Sequence, residues 1–156
     1  MRWLFDAFNE CGLEEYALRL LTASGFPGYR HWLDAGATTL WEKWFLDNSE
    51  GSNSRNHHMY SHFMSWLIET VLGIHHNSTE AGTPEFTVSP FYFSGLTYAQ
   101  GSYQTDTGKL KVDWNKSDNC ISLTVTVEGS TSALYGNRIL SEGTYKFIIS
   151  QDKNSD

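Results

Sequence analysis

The apolar residues of this chain change their spacing once, near residue 75, and that change splits the fold into two kinds of architecture. Before it, Leu4, Phe5 and Phe8 form one stripe ending at Gly12, and Tyr16, Ala17, Leu20 and Leu21 form a second ending at Gly25-Phe26-Pro27-Gly28. A third segment, from about Asn56 to Leu72, carries Met59, Phe63, Leu67 and Val71 at the three-and-four spacing that lines one face of a helix. Downstream the period is two. Leu110, Val112 and Trp114 alternate with Lys109, Lys111 and Asp113, and Ile121, Leu123, Val125 and Val127 alternate with Ser122, Thr124, Thr126 and Glu128. Strands with one buried face read this way. Asp106-Thr107-Gly108, Lys116 to Asn119, Gly129-Ser130 and Gly136-Asn137 supply the turns between them. The chain therefore reads as α+β. Helices are expected over 1–76, a linker over 77–84, an antiparallel β-sandwich of six to eight strands over 85–150 with Trp114, Leu123, Val125 and Phe147 inside, and a tail over 151–156.

Charge narrows the partners. Eighteen acids against eleven bases give a formal net charge of -7 over 156 residues, which leaves no basic stripe to neutralise phosphates, so neither nucleic acid nor an anionic membrane is expected as partner. No apolar run approaches the roughly 18 residues of a membrane span. The opening MRWLFDAFNECG lacks the continuous apolar core and small-residue cleavage site of a signal peptide, so localisation stays open. Cys11 and Cys120 have no CxxC partner and read as ordinary thiols. The first helix starts almost at Met1, apolar and without a capping residue, as though it continued a layer that precedes it.

The stretch ATTLWEKW, residues 37–44, sets Glu42 between Trp41 and Trp44. Its plainest reading is a short amphipathic helix with both indoles in a core and Glu42 in water. Two polar clusters bracket the loop that follows: Asp34, Glu42 and Lys43 before it, Arg55-Asn56-His57-His58 after it. A metal is not expected there, because adjacent His57 and His58 diverge by about 100° on a helix. HExxH and DxDxDG patterns are also missing, and no cofactor is expected. His75 and His76 read as solvated residues at a helix end. Sugar hydrolysis suits the composition better. It uses carboxylates for acid and base, and aromatic walls for the apolar faces of sugar rings.

Gly25-Phe26-Pro27-Gly28-Tyr29, Trp32 to Trp44, Ser54-Arg55-Asn56-His57-His58-Met59-Tyr60 and Trp66 resemble, in order, the late catalytic-domain motifs of bacterial α-L-rhamnosidases. Gly95 to Tyr103 and Thr107 to Trp114 resemble the same family's C-terminal β-domain. The resemblance implies the end of an (α/α)₆ toroid followed by that domain, and an inverting glycosidase acting on a rhamnose-containing glycoside. It assigns Glu42 as the general base that activates water, and Trp41, Trp44, Asn56, His57 and His58 to the sugar subsite. Lys43 stands where the family usually has Arg, and Ser61 where it usually has Gly. The family's general acid lies upstream of the region these motifs cover, so the chain by itself is expected to be inactive. Two rival roles are a carbohydrate-binding module without chemistry and a structural piece. In the latter, exposed helical faces led by Trp3, Leu4, Phe8, Phe63 and Leu67 would pair with another copy.

Overall fold

The structure, a computed structural model, describes residues 3–44, 54–77, 83–117 and 119–151. It divides into two compact units, Met1–Trp66 and Leu67–Asp156.

The first unit holds four short helices, α1 (Leu4–Glu10), α2 (Glu14–Thr22), α3 (Tyr29–Asp34) and α4 (Phe63–Trp66). Gly12, at φ 66°, turns α1 into α2 while the Leu13 N–H reaches back to the Phe8 carbonyl at 2.7 Å, closing the C-terminus of α1. Neither helix has a side-chain cap. Their cohesion comes from aromatic packing: Phe5 is buried against Trp66 (ring centroids 5.4 Å apart) and Tyr29 (5.9 Å), and the Trp66 indole N–H donates to Asn9 Oδ1 at 2.8 Å. Gly28 opens α3 where a Cβ would stand 1.9 Å from the Ala23 carbonyl oxygen, so only glycine fits.

The long helix expected over 56–72 is broken into a 3₁₀ turn at His58–Tyr60, then α4, then a π turn at Leu67–Val71. The wider turn is needed because Thr70, Val71 and Leu72 are all buried in succession, which a single α-helical stripe cannot achieve.

The second unit is two four-stranded sheets. One has the order β1 (Ile74–His76), β2 (Phe86–Val88), β6 (Ala133–Tyr135), β7 (Arg138–Leu140); the other has β3 (Tyr98–Gln104), β4 (Gly108–Lys116), β5 (Cys120–Gly129), β8 (Gly143–Ser150). Neighbours are antiparallel except β2 and β6, which pair in parallel because β3 to β5 lie in the other sheet and act as the crossover between them. The two-residue alternation is realised in the core. Leu110, Val112, Trp114, Ile121, Leu123, Val125 and Val127 are all within 2% of complete burial, in the register Val112 to Val125 and Trp114 to Leu123. Phe86 against Tyr103 (5.8 Å) and Tyr135 against Phe147 (4.4 Å) join the sheets. Phe147, expected inside, is half-buried: β8 ends its sheet, and the ring lies between Tyr135 and the Arg138 guanidinium.

Ile74–His76 forms a strand where the sequence pattern predicts the end of a helix. Gly73, at φ 67° and with no room for a Cβ (2.1 Å from Pro90 N), ends the π turn, and its carbonyl accepts the Ser89 N–H at 2.8 Å. The chain can then only run alongside β2. The preceding residues serve the β core as well, since the Val71 carbonyl accepts the buried Trp114 indole N–H at 2.8 Å. His76 is exposed, but on a strand rather than at a helix end, and it faces Glu85, Nε2 to Oε1 at 3.6 Å. Glu85 Oε2 also accepts the hydroxyls of Thr107 and Thr131, tying the start of β2 to two turns of the unit. Burial pushes this carboxyl's pKa up, but hydrogen bonds from Thr107, Thr131 and Thr105 and the nearby His76 outweigh it, and the net shift is downward.

Candidate functional site

The site is built at the neck of a loop in the first unit. Residues 39–42 and 54–57 are laced together: the His57 N–H donates to the Leu40 carbonyl (2.8 Å), the Glu42 N–H to the Ser54 carbonyl (2.9 Å), and the Thr39 hydroxyl to the Arg55 carbonyl. The Ser54 N–H completes the set by donating to Glu42 Oε2 at 2.9 Å. Glu42 of the first polar cluster thus meets the segment that carries the second, one of its carboxylate oxygens held by a backbone amide.

These cross-chain bonds replace helical ones. The short amphipathic helix expected over ATTLWEKW does not form; residues 37–44 run as bends. Trp41 is buried, Glu42 and Trp44 are half-buried, and Lys43 is exposed. Trp44 stacks on Trp32 (4.5 Å, 22°) and meets Tyr29 edge-on at 5.3 Å and Tyr60 at 5.0 Å; Trp41 lies 6.5 Å from Trp32. The Trp32 indole N–H donates to the Lys43 carbonyl at 3.2 Å, and the Tyr29 hydroxyl to the Tyr60 carbonyl at 3.0 Å. Burial, and then the neighbouring Tyr60, push the Tyr29 hydroxyl above the ordinary tyrosine pKa, so this ring serves as a neutral donor. Of the two tryptophans beside Glu42, Trp44 is the one with ring surface open to solvent.

His57 is extended (φ -129°, ψ 128°) and caps the 3₁₀ turn, its Nδ1 accepting the Met59 N–H at 3.0 Å. That bond places the proton of a neutral ring on Nε2, which is left as a donor. The rings of His57 and His58 do not diverge as they would on a helix; they lie parallel, 2° apart in plane with centroids at 5.3 Å, because His57 precedes the turn rather than belonging to it. Asn56 is exposed, with its N–H on Ser54 Oγ at 3.1 Å. Asp34 is not brought to Glu42; it pairs with Arg30 at 3.6 Å across one turn at the exposed end of α3. Asp47 and Glu50, the other acids near in sequence, lie outside the described residues. Among the described residues no group of three or more His, Cys, Asp or Glu side chains could hold a metal ion, and no helix is long and apolar enough to cross a membrane.

Sequence reasoning assigns no role to Tyr29, Trp32 and Tyr60, which carry the wall behind Trp44. A signal was present in the i, i+3 spacing of Tyr29 and Trp32, which puts both rings on one face of α3.

An amide-held carboxylate close in sequence to stacked indoles combines two features that sugar-processing sites use. Family comparison gives the class more closely: residues 1–71 match the bacterial α-L-rhamnosidase six-hairpin glycosidase domain, and residues 73–135 match the bacterial α-L-rhamnosidase C-terminal domain. The chain is 30% identical over 154 residues to an α-L-rhamnosidase of Formosa agariphila, covering 97% of this chain and 16% of that protein. It is 32% identical over 136 residues to one of an Alteromonas species, covering 83% and 15%. Solved relatives share the fold: the α-L-rhamnosidase of Dictyoglumus thermophilum superposes with a TM-score of 0.82 (22% identity, 96% of this chain, 20% of that one). That of Streptomyces avermitilis, solved in complex with L-rhamnose, gives 0.74 (22% identity, 94% and 16%). The chain belongs to the bacterial α-L-rhamnosidase family and corresponds to a C-terminal part of it, spanning about a sixth of the curated relatives it matches.

Proposed function

We propose that this chain carries the base side of an inverting α-L-rhamnosidase site, with Glu42 as general base. The observation behind this reading is the amide-held carboxylate beside Trp44. The Ser54 N–H fixes Oε2, which sets the direction of the other oxygen, and that oxygen takes the proton from the attacking water. Trp44 offers an apolar face to the sugar ring, and His57 Nε2–H, with His58 and Asn56 beside it, donates to or accepts from its hydroxyls. Trp41 backs the aromatic wall.

In an inverting step a second carboxylic acid, about 6.5–9.5 Å from the base, must protonate the leaving oxygen as water attacks from the other face. One carboxylate cannot do both at once. By the family resemblance that acid lies upstream of these motifs, and the chain alone is expected not to hydrolyse a rhamnoside.

A chimera tests this: residues 1–156 replace the matching segment of the Streptomyces avermitilis enzyme, and release of aryl from an aryl α-L-rhamnoside is followed. Glu42→Gln keeps the shape but accepts no proton, so kcat falls by several orders of magnitude with KM nearly unchanged. A loss below about tenfold, or turnover by the isolated chain, would overturn the assignment.

A further inference from the structure

The outward face of the β3-β4-β5-β8 sheet is not a plain solvated surface. It holds a concavity of about 460 Å³ whose lining includes Gln100 and Ser102 of β3, Lys111 and Asp113 of β4, and Thr124 and Thr126 of β5. Strand register explains the convergence. Gln100, Asp113, Thr124 and Lys146 of β8 form one row across the sheet, and Ser102, Lys111, Thr126 and Thr144 form the next. Strands about 4.8 Å apart, with same-face residues about 6.8 Å apart along each, make this a grid of donors and acceptors.

The charges on the grid are engaged locally. Lys111 Nζ pairs with the Glu128 carboxylate, and Asp113 Oδ1 accepts the Asn115 amide at 2.9 Å. The lining holds one cation and one anion, each with a partner beside it, and Lys146 of β8 flanks it next to Thr124, so the groove lacks the acidic excess of a chain whose formal net charge is -7. What it offers a ligand is hydroxyls and an amide. The next row, Tyr98, Asn115, Ser122 and Ile148, adds the one large apolar pair of this face, with Tyr98 63% and Ile148 68% exposed at opposite edge strands.

From this pattern we infer that the groove binds a neutral saccharide chain, its hydroxyls meeting the rows of Gln100 and Ser102 while one ring lies on Tyr98. Polar side chains in a shallow groove beside an exposed aromatic ring suit a ligand that carries many hydroxyls and apolar ring faces. A strongly apolar partner would find no continuous apolar surface there. The inference rests on the second unit alone and does not depend on Glu42.

The test is a titration of the ¹⁵N-labelled whole chain with neutral α-linked rhamnotriose, maltotriose, and an acidic trigalacturonate, each to about 10 mM. Saturable shifts on residues 98–126 and 144–148 with a neutral probe, and weaker ones with the acidic probe, are expected. Tyr98→Ala and Thr124→Val each weaken binding about three- to tenfold without moving the thermal midpoint appreciably. The inference is overturned if neither neutral sugar perturbs these residues, or if the acidic probe binds better. Shifts confined to residues 41–58 also overturn it while leaving the Glu42 reading standing. The wild-type map decides the matter even where a variant folds poorly.

Discussion

The two units solve the problem of burying apolar surface in opposite ways. In the β unit β4 and β5 contribute alternate residues to one interior shared with Phe86 and Val88 of β2 and Leu140 of β7, so Leu110, Trp114, Leu123 and Val125 reach complete burial. The helical unit gathers its core from separated pieces, Phe5, Tyr29, Trp32, Trp41 and Trp66, and leaves Trp3 70% and Leu33 69% exposed, with Phe26 and Met64 also open. A sheet pair can close by itself, whereas four helices of four to nine residues are too short to do so without aromatic bulk or further partners. The site-bearing half is therefore the one expected to need further partners, and the β half the one expected to fold alone.

The sharpest way to break that contrast is to cut the chain. A chain starting at Leu67 is expected to fold cooperatively and stay monomeric, while the whole chain associates through its open helical faces, as light scattering would report. Starting instead at Asn77 removes Val71, Leu72 and Ile74, all buried, and the acceptor of the Trp114 indole. The loss is about 5 kcal/mol or more at 1.5–3 kcal/mol per side chain, enough to abolish the cooperative transition. Equal stability of the two truncated chains would show that residues 67–76 belong with the helices.

Next in size is Trp114→Ala, expected to cost about 3–5 kcal/mol in urea unfolding because it leaves a cavity and an unpaired Val71 carbonyl. A cost below about 1 kcal/mol would mean that the β core is not closed as described.

Glu85→Gln comes third, at about 1–2 kcal/mol at pH 7. Its sign with pH is fixed by the direction of the shift. The folded carboxyl titrates below its ordinary value of 4.5, so its stabilisation is present above that value and is lost as pH falls through the lower folded value. The gap between wild type and variant should therefore close on acidification; a gap that widens would contradict the three-threonine clasp. Smallest is Glu128→Gln, which breaks the surface pair with Lys111 and should leave the unfolding midpoint within error.

The sequence by itself determined much of the β unit and the family. Alternation in β4 and β5 is a local signal with period two, and the turns around 106–108, 129–130 and 136–137 separate the strands where their residues say they should. The motifs around Trp41, Glu42 and Asn56 to Tyr60 were enough to place the chain among α-L-rhamnosidases, because residue identity in order carries that information without any fold. Tertiary structure decided the rest. Local spacing predicts helix for 37–44 and for 56–72, yet hydrogen bonds from His57 to Leu40 and between Glu42 and Ser54 outweigh that preference in the first, and consecutive burial of Thr70, Val71 and Leu72 forces a π turn in the second. The parallel pairing of β2 with β6, the stacking of Trp44 on Trp32 and the parallel rings of His57 and His58 likewise depend on partners far away in the chain or on a single backbone angle. A periodic pattern reports which face of one element is wet, and it carries no term for the energy gained when two distant segments satisfy each other's backbone groups.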